Sequence, residues 1–317
     1  MACRHVGTKG CQMFRAIAPF AVFAISCSAA DNPVREVTSQ ATRAGNRLVP
    51  AFHKGYIYWI GLAGPANQVT IYAPDGHLAF SFQTQNGNAE SVAVDTDAGM
   101  AVAWGTKEGG GIEFRDNSGT LRQTVRTGRY FPAHLSFAED HSLWSLGWQR
   151  DASREGTPDR QGYMTVRKYL PNGKEAGAYL PRSLFPPGLE PGMESWQRSG
   201  SIVVAHDRVG LWVYSGDNGD LTEWVELDLN GNLLGRWRLD QFSGKARVAL
   251  TTDGHVFVQD YDQRAKAHWL HKLNRDSSTW QPVEAAPSGR LEGADGDALV
   301  FSDLGLGPMH VRWYQHP

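Results

Sequence analysis

Short runs of four to seven residues alternate between apolar and polar positions along almost the whole chain. The clearest stretch is 248–261, VALTTDGHVFVQDY. Two apolar runs flank Asp253-Gly254, a dipeptide suited to a tight hairpin because both central residues tolerate positive φ. Val248, Leu250, Val256 and Val258 fall on one strand parity, Ala249 and Phe257 on the other. A hairpin apolar on both faces must lie between two neighbouring sheets.

The same pattern occurs six times, starting near Leu48, Val92, Leu135, Ile202, Val248 and Leu291. Each second strand carries a large aromatic: Trp59, Trp104, Trp144, Trp212, Phe257 and Phe301. Five of the six hairpins are followed by a second alternating pair, with Gly76, Gly119, Gly173 and Gly231 at the turns and Asp276-Ser277 at the fifth. Four strands per unit, with units about 45 residues apart, predict an all-β six-bladed propeller of four-stranded antiparallel blades. The last unit has only one strand after its hairpin, near HVRWYQ, so the stretch VREVT at 34–38 is expected to supply the fourth and close the ring.

Residues 1–30 read as an export leader. The apolar run AIAPFAVFAI follows Arg4, Lys9 and Arg15, and Ser28-Ala29-Ala30 offers small residues for a cut before Asp31, leaving 31–317 as one propeller domain. The run is too short to span a bilayer. Translation could begin at Met1 or Met13. Ala24-Ile25-Ser26-Cys27 is similar to a bacterial lipobox, with Ala in place of the usual Leu, and would place a lipid anchor on Cys27. The expected location is the periplasm, the exterior or the outer envelope. All three cysteines (Cys3, Cys11 and Cys27) fall in this leader, so a chain cut after Ala30 has neither disulfides nor thiol chemistry. It would hold 28 Lys and Arg against 33 Asp and Glu, a net charge of −5 that argues against nucleic acid as a partner.

The recurring apolar hairpin, followed by strand, Asp/Asn-Gly and strand, resembles the six-bladed propellers of the NHL and YVTN type over nearly the whole mature chain. GYIYWIG and ALVFSD are also similar to YWTD propellers. No GH…WD spacing of the WD40 kind is present. The resemblance implies a rigid ring with a ligand face and a central channel.

Two long insertions, 149–162 (QRDASREGTPDRQG) and 181–197 (PRSLFPPGLEPGMESWQ), are expected on one face. The second offers Phe185, Met193 and Trp196 on a proline-stiffened loop, suited either to recognition or to a lid packed over the seam between blades 3 and 4. Arg47, Ser91, His134, Ser201, Arg247 and Arg290 precede the inner strands and should rim the channel. Three arginines and a histidine would suit a small anion, unless Glu90, Arg198 and Glu292 join them in internal ion pairs. The candidate ligand-binding set is Arg47, Glu90, His134, Arg198, Arg247, Arg290, Trp196 and Tyr261. Asp217, Asn218 and Asp220, with Asp260 and Asp262, are oxygen ligands that could hold calcium. No nucleophile elbow or HExxH occurs. His53, His141, His206 and His255 fall near hairpin turns on the other face, where solvation is the expected role.

The leading expectation is a monomeric, non-catalytic propeller without a cofactor. It would bind a protein partner or a small anionic ligand through the face carrying both insertions. The alternative is a channel-centred enzyme. In propeller lactonases calcium is held by residues such as Glu90, Asn88 and Asp303 would be here. In lyases His134 would act as base or acid.

Overall fold

The computed structural model describes residues 32–42, 50–61, 67–95, 97, 99–149, 162–185, 202–214, 221–239, 241–242, 246–262, 267–284, 286–303 and 307–316. The leader with its cysteines, Arg47, 150–161, 186–201 and 215–220 lie outside them.

Alternation builds the blades as the pattern predicts. Blade 1 is β2 (Ala51–His53), β3 (Tyr56–Gly61), β4 (Gln68–Tyr72) and β5 (Leu78–Gln83). Blade 2 is β6 (Asn88–Val94), β7 (Met100–Gly105), β8 (Gly110–Arg115) and β9 (Leu121–Gly128). Blade 3 is β10 (Tyr130–Phe137), β11 (Leu143–Gln149), β12 (Met164–Tyr169) and β13 (Glu175–Pro181). Blade 4 is β14 (Ile202–Ala205), β15 (Arg208–Tyr214), β16 (Leu221–Asp228) and β17 (Leu233–Arg238). Blade 5 is β18 (Arg247–Leu250), β19 (Val256–Asp262), β20 (Ala267–Asn274) and β21 (Thr279–Pro282). Blade 6 joins β22 (Arg290–Asp295), β23 (Ala298–Ser302) and β24 (Pro308–Gln315) to the N-terminal β1 (Arg35–Thr42). All pairings are antiparallel.

Closure by β1 follows from an edge that would otherwise be bare. Val37 pairs with Val311 and Thr38 with His310. The strand also reaches blade 1: Gln40 N–H donates to Gly76 O at 2.9 Å, and the Arg35 guanidinium lies 4.5 Å over the Trp313 ring while bonding Gly55 O. Gly76, at φ +85°, has no room for a side chain, since a Cβ would come within 2.6 Å of Thr38 O.

The core is not one mass but a separate apolar cluster at each blade seam. Ile57, Trp59, Val300 and Val311 fill the seam between blades 6 and 1. Ile71, Val92 and Met100 fill 1–2, and Ala101, Ile112 and Leu135 fill 2–3. Trp144 and Val209 fill 3–4, Trp212 and Val256 fill 4–5, and Phe257 and Phe301 fill 5–6. The six second-strand aromatics are all buried, but they do not share a face. Phe257 and Phe301 point at each other across one seam, whereas Trp144 and Trp212 each face forward.

Phe185 separates the two readings of its loop. It is 3% exposed and packs with Trp144, Val166 and Ile202, held by a single 3-10 turn at Arg182–Leu184. That is the lid reading, in which the loop's first aromatic seals the 3–4 seam. Trp196 lies outside the described residues. The Asp253-Gly254 turn also differs from the tight hairpin expected. Leu250 pairs with Val256, so the connection is the five-residue Thr251–His255, closed by Thr251 N–H to His255 O and Gly254 N–H to Thr251 O. Two-residue turns occur instead at Lys54-Gly55, with φ of 49° and 79°, at His206-Asp207 and at Gly296-Asp297.

Candidate functional site

The innermost strands β2, β6, β10, β14, β18 and β22 enclose a central channel of about 420 Å³. Its walls are mostly aliphatic, with Val92, Leu135, Val204 and Val248 among them. Charged groups gather at the two ends. Glu90, His134 and Glu292 stand at the mouth where the inner strands begin; Lys54, Glu139 and Asp295 stand where they turn. Gln149, at the end of β11, pairs with Tyr130 at the start of β10, and Pro181 pairs with Met164. The strand ends that flank both insertions therefore lie on the mouth face.

Three bulges shape the mouth. In β6 the register slips between Ala89 and Ser91, so Glu90 is the extra residue. In β22 it slips between Leu291 and Gly293, so Glu292 is extra. In β10 it slips between Pro132 and His134. A bulge re-aims the residues beside it, which turns these side chains into the channel.

Glu292 is fully buried and anchors an ion triad. Arg290 Nε donates to its Oε1 at 3.0 Å and Arg247 Nη1 to its Oε2 at 3.3 Å, with Ser302 Oγ also bonded to Oε1. Of the two readings of the rim, internal ion pairing holds for Arg247 and Arg290, both pinned to Glu292. Both guanidinium groups keep further N–H donors.

Glu90 and His134 differ from the paired carboxylates of the interior. Glu113 is bound by Arg115, Asn86 and Gln85 N–H; Glu226 by Arg208, Arg275 and Trp224 Nε1; and Arg182 by Phe185 O. Among the described residues, nothing hydrogen-bonds the side chain of Glu90 or His134. Glu90 meets channel solvent but is ringed by protein, and loss of hydration pushes its carboxyl up to about 7. Its Oε1 lies against Gly105, close to the Phe131 ring that stacks on Trp148 at 4.7 Å. His134 is 7% exposed, and burial pulls its imidazole down to about 4, so the ring is neutral at neutral pH.

The remaining candidates scatter. Ser91 is structural, with its hydroxyl accepting Leu135 N–H at 3.2 Å across the blade 2–3 seam. Tyr261 sits on the mouth face, half-buried, its ring 4.9 Å from His268. Asp303 Oδ1 is held by Arg312 at 2.5 Å, and Asn88 is exposed, so neither joins Glu90. Asp217, Asn218, Asp220, Arg47, Arg198 and Ser201 lie outside the described residues.

Three of the turn histidines are more than solvated surface. His53 lines the channel with its Nε2 buried and unbonded among the described residues, and burial lowers its pKa. His141, at φ 61°, bonds Asp95 at 2.7 Å, and Asp95 raises its pKa. His255 packs edge-on against His316 at 4.9 Å and against Phe257. The sequence signal for Glu90 and Glu292 was an acid within an otherwise apolar inner strand, a place where an unpaired charge is costly.

The fold and the channel define a six-bladed β-propeller. No protein-family model matches the chain, and no curated protein matches it in sequence. Solved structures do match. The chain is similar to a gluconolactonase candidate with a TM-score of 0.53 and 12% identity, over 90% of this chain and 94% of that one. It is similar to an exported-protein candidate from Bacteroides fragilis with a TM-score of 0.52 and 9% identity, over 89% and 94%. It is also similar to the WD40 repeats of RRP9, with a TM-score of 0.50 and 11% identity, over 90% and 98%. At such identities the likeness carries the fold alone.

Proposed function

We propose that this propeller is an exported binding protein. It takes a small hydroxylated ligand, neutral or bearing one carboxylate, into the channel mouth, with Glu90 and His134 as the recognising groups. One contrast supports the reading: the buried carboxylates Glu113, Glu226 and Glu292 are paired with arginines inside the fold, whereas Glu90 and His134 face the channel with no hydrogen bond to any described residue. A polar group on a cavity wall that no protein group has claimed is free to bond what enters the cavity. A ligand hydroxyl donates to one of these groups and accepts from the other. A ligand carboxylate would find the spare donors of Arg247 and Arg290. The insertions 149–162 and 181–197 would extend this rim and set selectivity, and could meet a protein partner. Export rests on the leader pattern in 1–30, and subtype kinship with NHL or YVTN rings rests on the repeat pattern.

The test is calorimetric titration of the mature chain with a uronate, a neutral hexose and inorganic phosphate. The uronate or the hexose should bind, and Glu90→Gln or His134→Ala should weaken it about tenfold or more, the worth of one buried hydrogen bond to a charged or desolvated partner. Binding by neither sugar, or binding indifferent to both substitutions, refutes the site.

One observation favours a second reading. A carboxyl that changes charge near pH 7 is tuned for proton transfer. An enzyme of the lactone-opening or lyase kind would use Glu90 as the base, with His134 as a neutral hydrogen-bond donor. Turnover of an aldonolactone that is lost in Glu90→Gln would establish it.

A further inference from the structure

On the face opposite the mouth, the five-residue turn of blade 5 meets the last residues of β24. Asp253, His255 and His316 come together there, with one ligand atom from each within 4.8 Å of the others. Asp253 Oδ2 is 2.8 Å from His316 Nε2 and 3.7 Å from His255 Nε2. We infer that these three side chains form a zinc site joining blades 5 and 6, with a fourth position open to solvent or to a ligand from outside.

The chemistry fits. Two imidazoles and a carboxylate are a common zinc donor set, and bonds of 2.0–2.2 Å in a tetrahedron separate ligand atoms by about 3.3 Å. The two distances on Asp253 straddle that value and all three ligand atoms lie within 4.8 Å of one another, so rotation of the imidazole rings must draw them together around the ion. The site is also supported from behind. Asp253 Oδ1 is oriented by Thr251 Oγ1 at 2.5 Å, which leaves Oδ2 to face the rings. The turn itself is tied to blade 6, with Thr252 N–H donating to Gly296 O and Asp253 N–H to Asp297 Oδ1, both at 3.1 Å. Such outer contacts hold ligands in place before the ion arrives. The His316 side chain is only 9% exposed, while Asp253 and His255 remain open enough to admit an ion. Lys272 and Arg275 lie near enough to His255 to oppose a cation. Arg275 is, however, already bound to Glu226.

The site is independent of the channel and of what binds there. The test uses the mature chain, freed of metal with a chelator and titrated with cobalt(II), then with zinc. Cobalt should give the intense visible absorption of a four-coordinate ion, and zinc should displace it. Asp253→Asn and His316→Gln should each weaken binding at least about tenfold, whereas His77→Gln should leave it unchanged. Asp253→Asn preserves shape, so a circular dichroism spectrum like the parent's keeps the result clear of unfolding. Absence of the band in the parent chain, or a band untouched by both substitutions, overturns the proposal.

Discussion

At the scale of single residues, Glu90 and His134 make opposite demands on pH. Glu90 titrates near 7 when folded and near its ordinary 4.5 when unfolded. The folded state therefore holds the extra proton, and this contribution to stability is full below 4.5 and lost as pH rises to about 7. His134 titrates near 4 when folded against an ordinary 6.5. The unfolded state takes that proton first, so this contribution is full above 6.5 and lost as pH falls to about 4, by an amount on the order of 3 kcal/mol. Between about 4.5 and 6.5 the two slopes oppose each other. Urea denaturation of the parent should show a shallow pH dependence there. Glu90→Gln should steepen the loss of stability toward acid, and His134→Leu should reverse the slope. Parallel curves for all three chains would mean that the mouth does not desolvate these groups.

At the scale of elements, strand alternation and the turn glycines were legible because both are local. The turns between the third and fourth strands of blades 1–4 follow from φ values that only a few residue types accept easily, and Gly76, Gly119, Gly173 and Gly231 all adopt them. The bulges at Glu90 and Glu292 were not legible, since one extra residue in a strand leaves the composition unchanged and only shifts which parity faces inward. The arginine rim and its pairing with Glu292 were both foreseeable, but the sequence could not decide between a free and a paired rim. Arg247 and Glu292 are 45 residues apart, and no local pattern couples them. Phe185 was left between two readings because an aromatic among prolines reads alike on a free loop and at a seam. Its burial makes a measurable claim: Phe185→Ala should destabilise the fold by about 3–5 kcal/mol, as for other buried aromatics, and lower the urea midpoint.

At the scale of the whole molecule, stability resides in six seams of similar construction, and no single seam can be lost without exposing its neighbours. Polar side chains reinforce several of them. Ser136 Oγ accepts Val204 N–H across 3–4, Gln259 bonds Leu291 N–H and Gly289 O across 5–6, and Asp295 accepts Lys54 and Gly55 N–H across 6–1. The last of these, with β1, is what joins the two ends of the ring. A chain lacking residues 1–42 should expose β24 as a bare edge and run as dimers and larger species on size exclusion. A synthetic peptide spanning 32–42 should restore the monomer, and failure of that rescue would mean that β1 only decorates a ring already shut.

That pairing also sets a clock. Val37 cannot meet Val311 until nearly the whole polypeptide has left the ribosome. At about 5–20 residues per second the head of the chain waits tens of seconds for its tail. Over that interval the ring is unfinished, and the newly made chain stays open to chaperones until the final pairing makes it rigid.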